Sequence, residues 1–221
     1  MATLDDFSRA THNPVMTSPR TTTNLHVIKF GGSLLDLPDF PARFAAWRKS
    51  LPVHHKLLMV VGGGETADVV RRFDKHYHLT PEQGHWLAIR AMQFNAHCVR
   101  HILQNAELAI DVQACQPIWQ RGAMAIVDPI PWLMADEAQG ICVPHRWSFT
   151  SDSIAAHLAT QLGASRLTLL KSTLPPDSTT ASQAAEAGIV DPDFPLASQS
   201  LPDVWLTNLR VDPAAQCLLG R

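Results

Sequence analysis

The sequence predicts an α/β protein, a three-layer α/β/α sandwich around a mostly parallel sheet, and three observations lead to it. Apolar runs of strand length alternate along the chain with longer stretches whose apolar residues recur at helical spacing. The run from Lys56 to Val61 is almost continuously apolar, as in a parallel strand covered on both faces. Two such runs end in glycine clusters, Gly31 and Gly32 after Phe30, and Gly62, Gly63 and Gly64 after Val61. Each cluster precedes a helix start, an arrangement that lets backbone N–H groups approach an anion closely.

Taken in order, residues 1 to about 23 are rich in Thr, Ser, Pro and Asn without apolar periodicity and read as a mobile leader. Residues 24–221 then read as one domain. Leu25 to Phe30 is the first strand, and Phe40, Phe44 and Trp47 give a helix over Pro38 to Lys49 one buried face. After the strand ending at Val61, Glu65 to Tyr77 reads as helix. Thr80, Pro81 and Gln83 open another with a capping-box pattern, running to about Leu103 with Trp86, Ile89, Met92 or Phe94, and Val99 on its apolar side. Shorter strands are expected near Leu108 and at Ala123 to Val127, Arg166 to Leu170 and Val204 to Thr207, with a helix over Ser151 to Leu162. The stretches Pro175 to Ser182 and Asp191 to Pro202 read as loops suited to border a ligand.

Composition excludes several functions. The formal charge of −2 and the lack of a basic block give no general attraction to nucleic acid. The longest apolar stretches are strand-sized, so no membrane span is expected, and no signal-peptide pattern opens the chain. Cys98, Cys115, Cys142 and Cys217 are scattered, which argues against a disulfide framework or zinc knuckle and for a cytoplasmic protein. His97 and His101 share a helix face at i, i+4 but have no recognisable third ligand, so no metal site is assigned to them.

Lys29 is the sharpest candidate for chemistry. A lysine in an apolar strand is costly to bury without an anion or carboxylate beside it. Next to Gly31, Gly32 and Ser33 the natural anion is a transferring phosphoryl group, whose equatorial oxygens the ammonium would neutralise. The plain alternative is a sheet-edge lysine beside a turn. Lys171 ends a second apolar run, and the chain has only five lysines; its plain alternative is a solvated loop residue. Asp152 opens the helix at Ser151 and either orients catalytic lysines or merely favours the helix dipole, with Thr150 or Ser151 as cap. Gly62, Gly63, Gly64 and Ala67 also satisfy the dinucleotide fingerprint G-x-G-x-x-A, but Glu82, the acid at the right distance, falls in a helix cap rather than at a strand end.

Three stretches together, Lys29 to Ser33, Val60 to Gly64 and Thr150 to Ala159, resemble the amino-acid kinase family, whose members include acetylglutamate, aspartate, carbamate and uridylate kinases. The resemblance implies that fold, with the acceptor over the N-terminal half and ATP over the C-terminal half. It implies Lys29 as the transition-state lysine and Asp152 as organiser of the catalytic lysines. ATP phosphates would lie against Gly31, Gly32, Ser33, Lys171 and Ser172, and the acceptor against Gly62, Gly63, Gly64 and Glu65. ATP and Mg²⁺ as cofactors, a small-molecule acceptor and a homodimer are implied as well.

Gly84 to Met92, Val143 to Ser153 and Ala187 to Pro195 further resemble a branch of that family accompanying methanofuran-type one-carbon metabolism, whose activity is ATP-dependent phosphorylation of aminomethylfuran-methyl phosphate. A uridylate kinase, a catalytically silent ligand-binding homologue and a dinucleotide-binding oxidoreductase are the alternatives. The chain departs from the family where a Thr-Asp-Val-Asp-Gly nucleotide loop is usual, having Leu169 to Pro176 instead, and no lysine follows Lys171. Lys171 is therefore the candidate for the missing second catalytic lysine.

Overall fold

The strand that carries Lys29 lies at the centre of the sheet. In the computed structural model, which describes residues 23–52 and 56–220, β1 (Thr23–Phe30) is flanked by β2 (Lys56–Val61) and β5 (Ala164–Lys171). Outward on one side come β4 (Met124–Val127) and then β3 (Ala106–Ala109); on the other come β6 (Val204–Asn208) and β7 (Ala215–Leu218). Among the described residues these seven strands form one sheet, parallel throughout except for the antiparallel β6–β7 pair. The proposed leader lies outside the described residues, apart from Thr23, which opens β1.

Alternation along the strands divides the core in two. Val27, Leu58, Val60, Leu167 and Leu169 face one side, where α6 (Ser151–Gln161) covers them with Ile154, Ala155 and Leu158. Ile28, Phe30, Met59 and Val61 face the other, under Phe40, Phe44 and Trp47 of α1 (Phe40–Lys49). Helices α2 (Gly64–Tyr77) and α3 (Pro81–Ile102) follow β2. The Thr80–Gln83 capping box is formed, with the Thr80 hydroxyl accepting from the Gln83 N–H at 3.2 Å. Of the two expected apolar candidates on α3, Met92 is buried and Phe94 is exposed.

Several elements have no counterpart in the sequence reading. They are α4 (Val112–Gln120), α5 (Pro129–Ala138), α7 (Ala181–Glu186), α8 (Phe194–Ser198) and β7. Proline masks three of them: Pro117 sits inside α4, and α5 and α8 begin around prolines at their first turns, where a missing N–H is harmless. Helix α8 occupies part of the stretch read as loop after Asp191, and α7 begins at the end of the other such stretch. The strand order differs from the dinucleotide-binding order, which removes that reading of Gly62 to Ala67.

Candidate active site

The two lysines meet because of register. Lys29 shares a sheet face with Val27, and Lys171 shares it with Leu169; Lys29 itself pairs with Leu169 across β1 and β5. Both side chains therefore emerge at the carboxyl ends of adjacent central strands, on the face that α6 covers. Asp152, in the first turn of α6, lies between them. Its Oδ1 is 2.9 Å from the Lys29 Nζ and its Oδ2 is 2.7 Å from the Lys171 Nζ. The Lys171 ammonium also donates to the Ile189 carbonyl at 2.6 Å.

All three charges are withdrawn from water. Lys29 is 6% exposed and Asp152 5%, which rules out both a sheet-edge lysine and a solvated capping acid. Burial by itself would raise the Asp152 pKa, but the ammoniums of Lys171 and Lys29 outweigh it and hold the carboxyl down to about 2. Burial lowers the Lys171 pKa, and Asp152 opposes that shift. Two cations share the Asp152 carboxylate here, and Asp191 is a second acid near enough to act on Lys171.

The glycine loops crowd against this centre. A Cβ on Gly32 would lie 2.3 Å from the Gly64 nitrogen, and Gly64 itself adopts φ +48°, so the two loops interlock only without side chains. The Gly31 N–H is taken by the Leu170 carbonyl at 3.0 Å and the Gly62 N–H by that of Phe30 at 2.8 Å. The backbone N–H groups of these two residues are thus already paired, and what the two glycines provide here is close approach of the loops. The first turn of α2 has N–H groups that helix geometry leaves unpaired. Ser33 Oγ and Ser172 Oγ lie 2.8 Å apart, linking the loops after β1 and β5.

Four polar side chains that the sequence reading did not single out complete the frame. Asn95 on α3 donates to the carbonyls of Gly62 and Gly63 at 2.8 and 2.7 Å, and accepts from the Thr66 hydroxyl at 2.9 Å. Asp191 caps α6 from another loop, accepting from the Thr150 N–H and hydroxyl at 3.0 and 2.8 Å, from the Ser153 N–H at 3.1 Å and from the Ser153 hydroxyl. Neither Thr150 nor Ser151 caps the helix with its own side chain. Arg146 pairs with Asp193 through two nitrogens, at 2.8 and 2.9 Å, so the segments around 146–153 and 191–193 are tied together. The sequence hint was that both segments carry runs of polar residues with small separations; their pairing arises only in three dimensions.

A narrow cavity of about 80 Å³ opens beside the second glycine loop, with Gly63, Gly64 and Arg71 on one wall and Arg146, Trp147 and Ser151 on another. Gly62 and Glu65 do not line it; Glu65 is exposed on the first turn of α2. Among the described residues no cluster of three or more His, Cys, Asp or Glu side chains is placed to hold a metal ion.

A parallel sheet with glycine loops and a buried Lys–Asp–Lys bridge at the switch point between β1, β2 and β5 defines a phosphate-handling α/β protein. Residues 24–173 match the amino acid kinase family, and the chain belongs to it. Over 136 residues it is 27% identical to the [5-(aminomethyl)furan-3-yl]methyl phosphate kinase of Methanocaldococcus jannaschii, a match covering 61% of this chain and 59% of that protein. The fold is similar to that of Archaeoglobus fulgidus uridylate kinase, with TM-score 0.57, 17% identity, and 88% of this chain and 90% of that one covered. It is also similar to Synechocystis aspartate kinase, with TM-score 0.58, 14% identity, and coverage of 88% and 40%.

Proposed function

We propose that this chain is an ATP-dependent phosphotransferase acting on a small phosphate-bearing acceptor, with [5-(aminomethyl)furan-3-yl]methyl phosphate as the specific candidate. The observation that carries the reading is the Lys29–Asp152–Lys171 bridge between the two glycine loops. In this reading an oxygen of the acceptor's phosphate attacks the γ-phosphorus, the bond from that phosphorus to the bridging oxygen of ADP breaks, and a diphosphate forms. A phosphate oxygen is already anionic, so no general base is needed. Lys29 and Lys171 neutralise the charge spread over the transferring group, while Asp152 fixes their positions. Ser33 and Ser172 flank the ATP phosphates, and Gly63 and Gly64 face the acceptor. Mg²⁺ would enter with ATP, held chiefly by phosphate oxygens and water.

The choice of acceptor is supported by the M. jannaschii relative. We place the protein in the cytoplasm, where Cys98, Cys115, Cys142 and Cys217, all free thiols, would stay reduced. Incubation with MgATP and the furan phosphate, beside a panel of nucleoside monophosphates, tests the function. Acceptor-dependent ADP release with a diphosphate product seen by ³¹P NMR is the expected result. Turnover of UMP alone would point to a uridylate kinase, and ATP binding without turnover of any acceptor would overturn the proposal.

A further inference from the structure

His85 is a buried residue that the phosphoryl-transfer reading leaves unused. It is 5% exposed, sits near the start of α3, and lines the cavity beside the second glycine loop. Its Nε2 is buried and has no hydrogen-bond partner among the described residues. Leaving such a group unpaired is costly unless a ligand meets it. The ring is nevertheless held firmly: it stacks on His145 with centroids 4.3 Å apart and planes 16° from parallel, and Trp86 meets it edge-on at 5.4 Å. His145 is fixed in turn by Glu137, 2.6 Å from its Nε2, which puts a carboxylate behind the stack.

The neighbouring sequence serves this wall. Gly84 makes room for Trp147, whose indole nitrogen would lie 3.3 Å from a Cβ at that position and donates to Asp74 at 2.7 Å. Helices α2 and α3 contact each other closely, with Asn95 level with the glycine loop and the Gly84–Trp147 contact level with Asp74. His85 is therefore ten residues, or roughly 15 Å along the α3 axis, from the level of the glycine loop. Ile89, Met92 and Phe149 line the apolar stretch between. The slot thus has the second glycine loop at one end, an apolar middle, the guanidiniums of Arg71 (paired with Asp68) and Arg146 (paired with Asp193) along its walls, and His85, whose Nε2 has no partner among the described residues, toward its far end.

We propose that His85 reads the end of the acceptor opposite its phosphate, accepting a hydrogen bond from a protonated amine carried on a small flat ring. The proposal rests on the phosphotransferase reading above and names its specificity determinant. Burial and the adjacent His145 push the His85 pKa down to about 4, against a smaller opposing pull from Glu137. The ring is therefore neutral at pH 7, able to accept from an ammonium without repelling it.

The test compares [5-(aminomethyl)furan-3-yl]methyl phosphate with its analogue bearing a methyl group in place of the aminomethyl. Wild type, His85→Phe and His85→Gln are measured by calorimetric binding and by turnover with MgATP, after thermal melts confirm folding. Phe keeps the stacking on His145 but cannot accept a hydrogen bond, whereas Gln can. Wild type should prefer the amine by about tenfold or more, as expected for a hydrogen bond to a charged group. His85→Phe should bind both compounds alike with an unchanged KM for ATP, and His85→Gln should restore part of the preference. A His85→Phe protein that still favours the amine as wild type does overturns the proposal, as does a wild type with no preference. Should Phe fail to fold, the same comparison on His85→Gln decides, an undiminished loss of preference counting against the acceptor role. Preferential amine binding without any turnover would uphold His85 while refuting phosphoryl transfer.

Discussion

Asp152 sits at the balance point of the site, because either lysine without it would be a buried cation lacking a counter-charge. In the phosphotransferase reading, Lys29→Ala lowers kcat by roughly 10²–10⁴ while ATP affinity stays within a few-fold, the loss of a preorganised charge being worth about 3–5 kcal/mol. Lys171→Ala should produce a similar collapse of kcat, because it holds the other oxygen of the same carboxylate; a rise only in KM for ATP would demote it to a nucleotide contact. The Asp152 pKa also sets a pH dependence. Its folded value, about 2, lies below the ordinary 3.8, so its contribution to stability is present above pH 4–5 and is lost as pH falls toward 2. In urea titrations the gap between wild type and Asp152→Asn should narrow by about 2 kcal/mol over that range. Lys29 and Lys171 stood out in the sequence because charged side chains in or ending apolar runs demand a partner, and Asp152 because it opens a helix and matches a motif of the family. Asn95, Asp191 and His85 did not, since each acts through contacts with residues remote in sequence.

Helix α6 presents Asp152, and its start is held by Asp191 rather than by a residue of its own. Such a cap is invisible to local pattern reading, which looks for Ser, Thr, Asp or Asn just before the helix and found Thr150 there. Asp191→Ala would strip the acceptor from two backbone N–H groups and two hydroxyls in a buried turn. A loss of about 2–3 kcal/mol, seen as a fall of about 5–10 °C in Tm, is expected. Turnover should drop as well, because Asp152 rides on the same turn; an unchanged Tm would mean water replaces the carboxylate. Helices α1 and α3 were readable from their apolar spacing and the Thr80–Gln83 box. The capping box at Thr180 and Gln183 signals α7 just as clearly, but the helix is too short for periodicity to support it. The proline in α4 hid a helix that packing of Cys115 and Ile118 into the core sustains.

At the scale of the whole molecule, alternation of strands and helices was sufficient to foresee the parallel sandwich, while the antiparallel β7, short and half exposed, carries no such signal. The α2–α3 pair leaves Phe73, Tyr77 and Phe94 exposed, at 51%, 71% and 61%. We propose that the protein is a homodimer, as the family resemblance implies. Light scattering at micromolar concentration should give twice the chain mass, and a monomer would contradict it. The central place of β1 has one more consequence, for the order of events on the ribosome. Its two neighbours are made at very different times: β2 follows soon after, whereas the buried bond between His26 and Thr168 joins residues 142 positions apart. A nascent chain that stops short of β5 therefore carries an open strand edge and a Lys29 with no carboxylate secured beside it. The Lys29–Asp152–Lys171 bridge is a late product of synthesis, completed only when the last third of the chain closes the sheet.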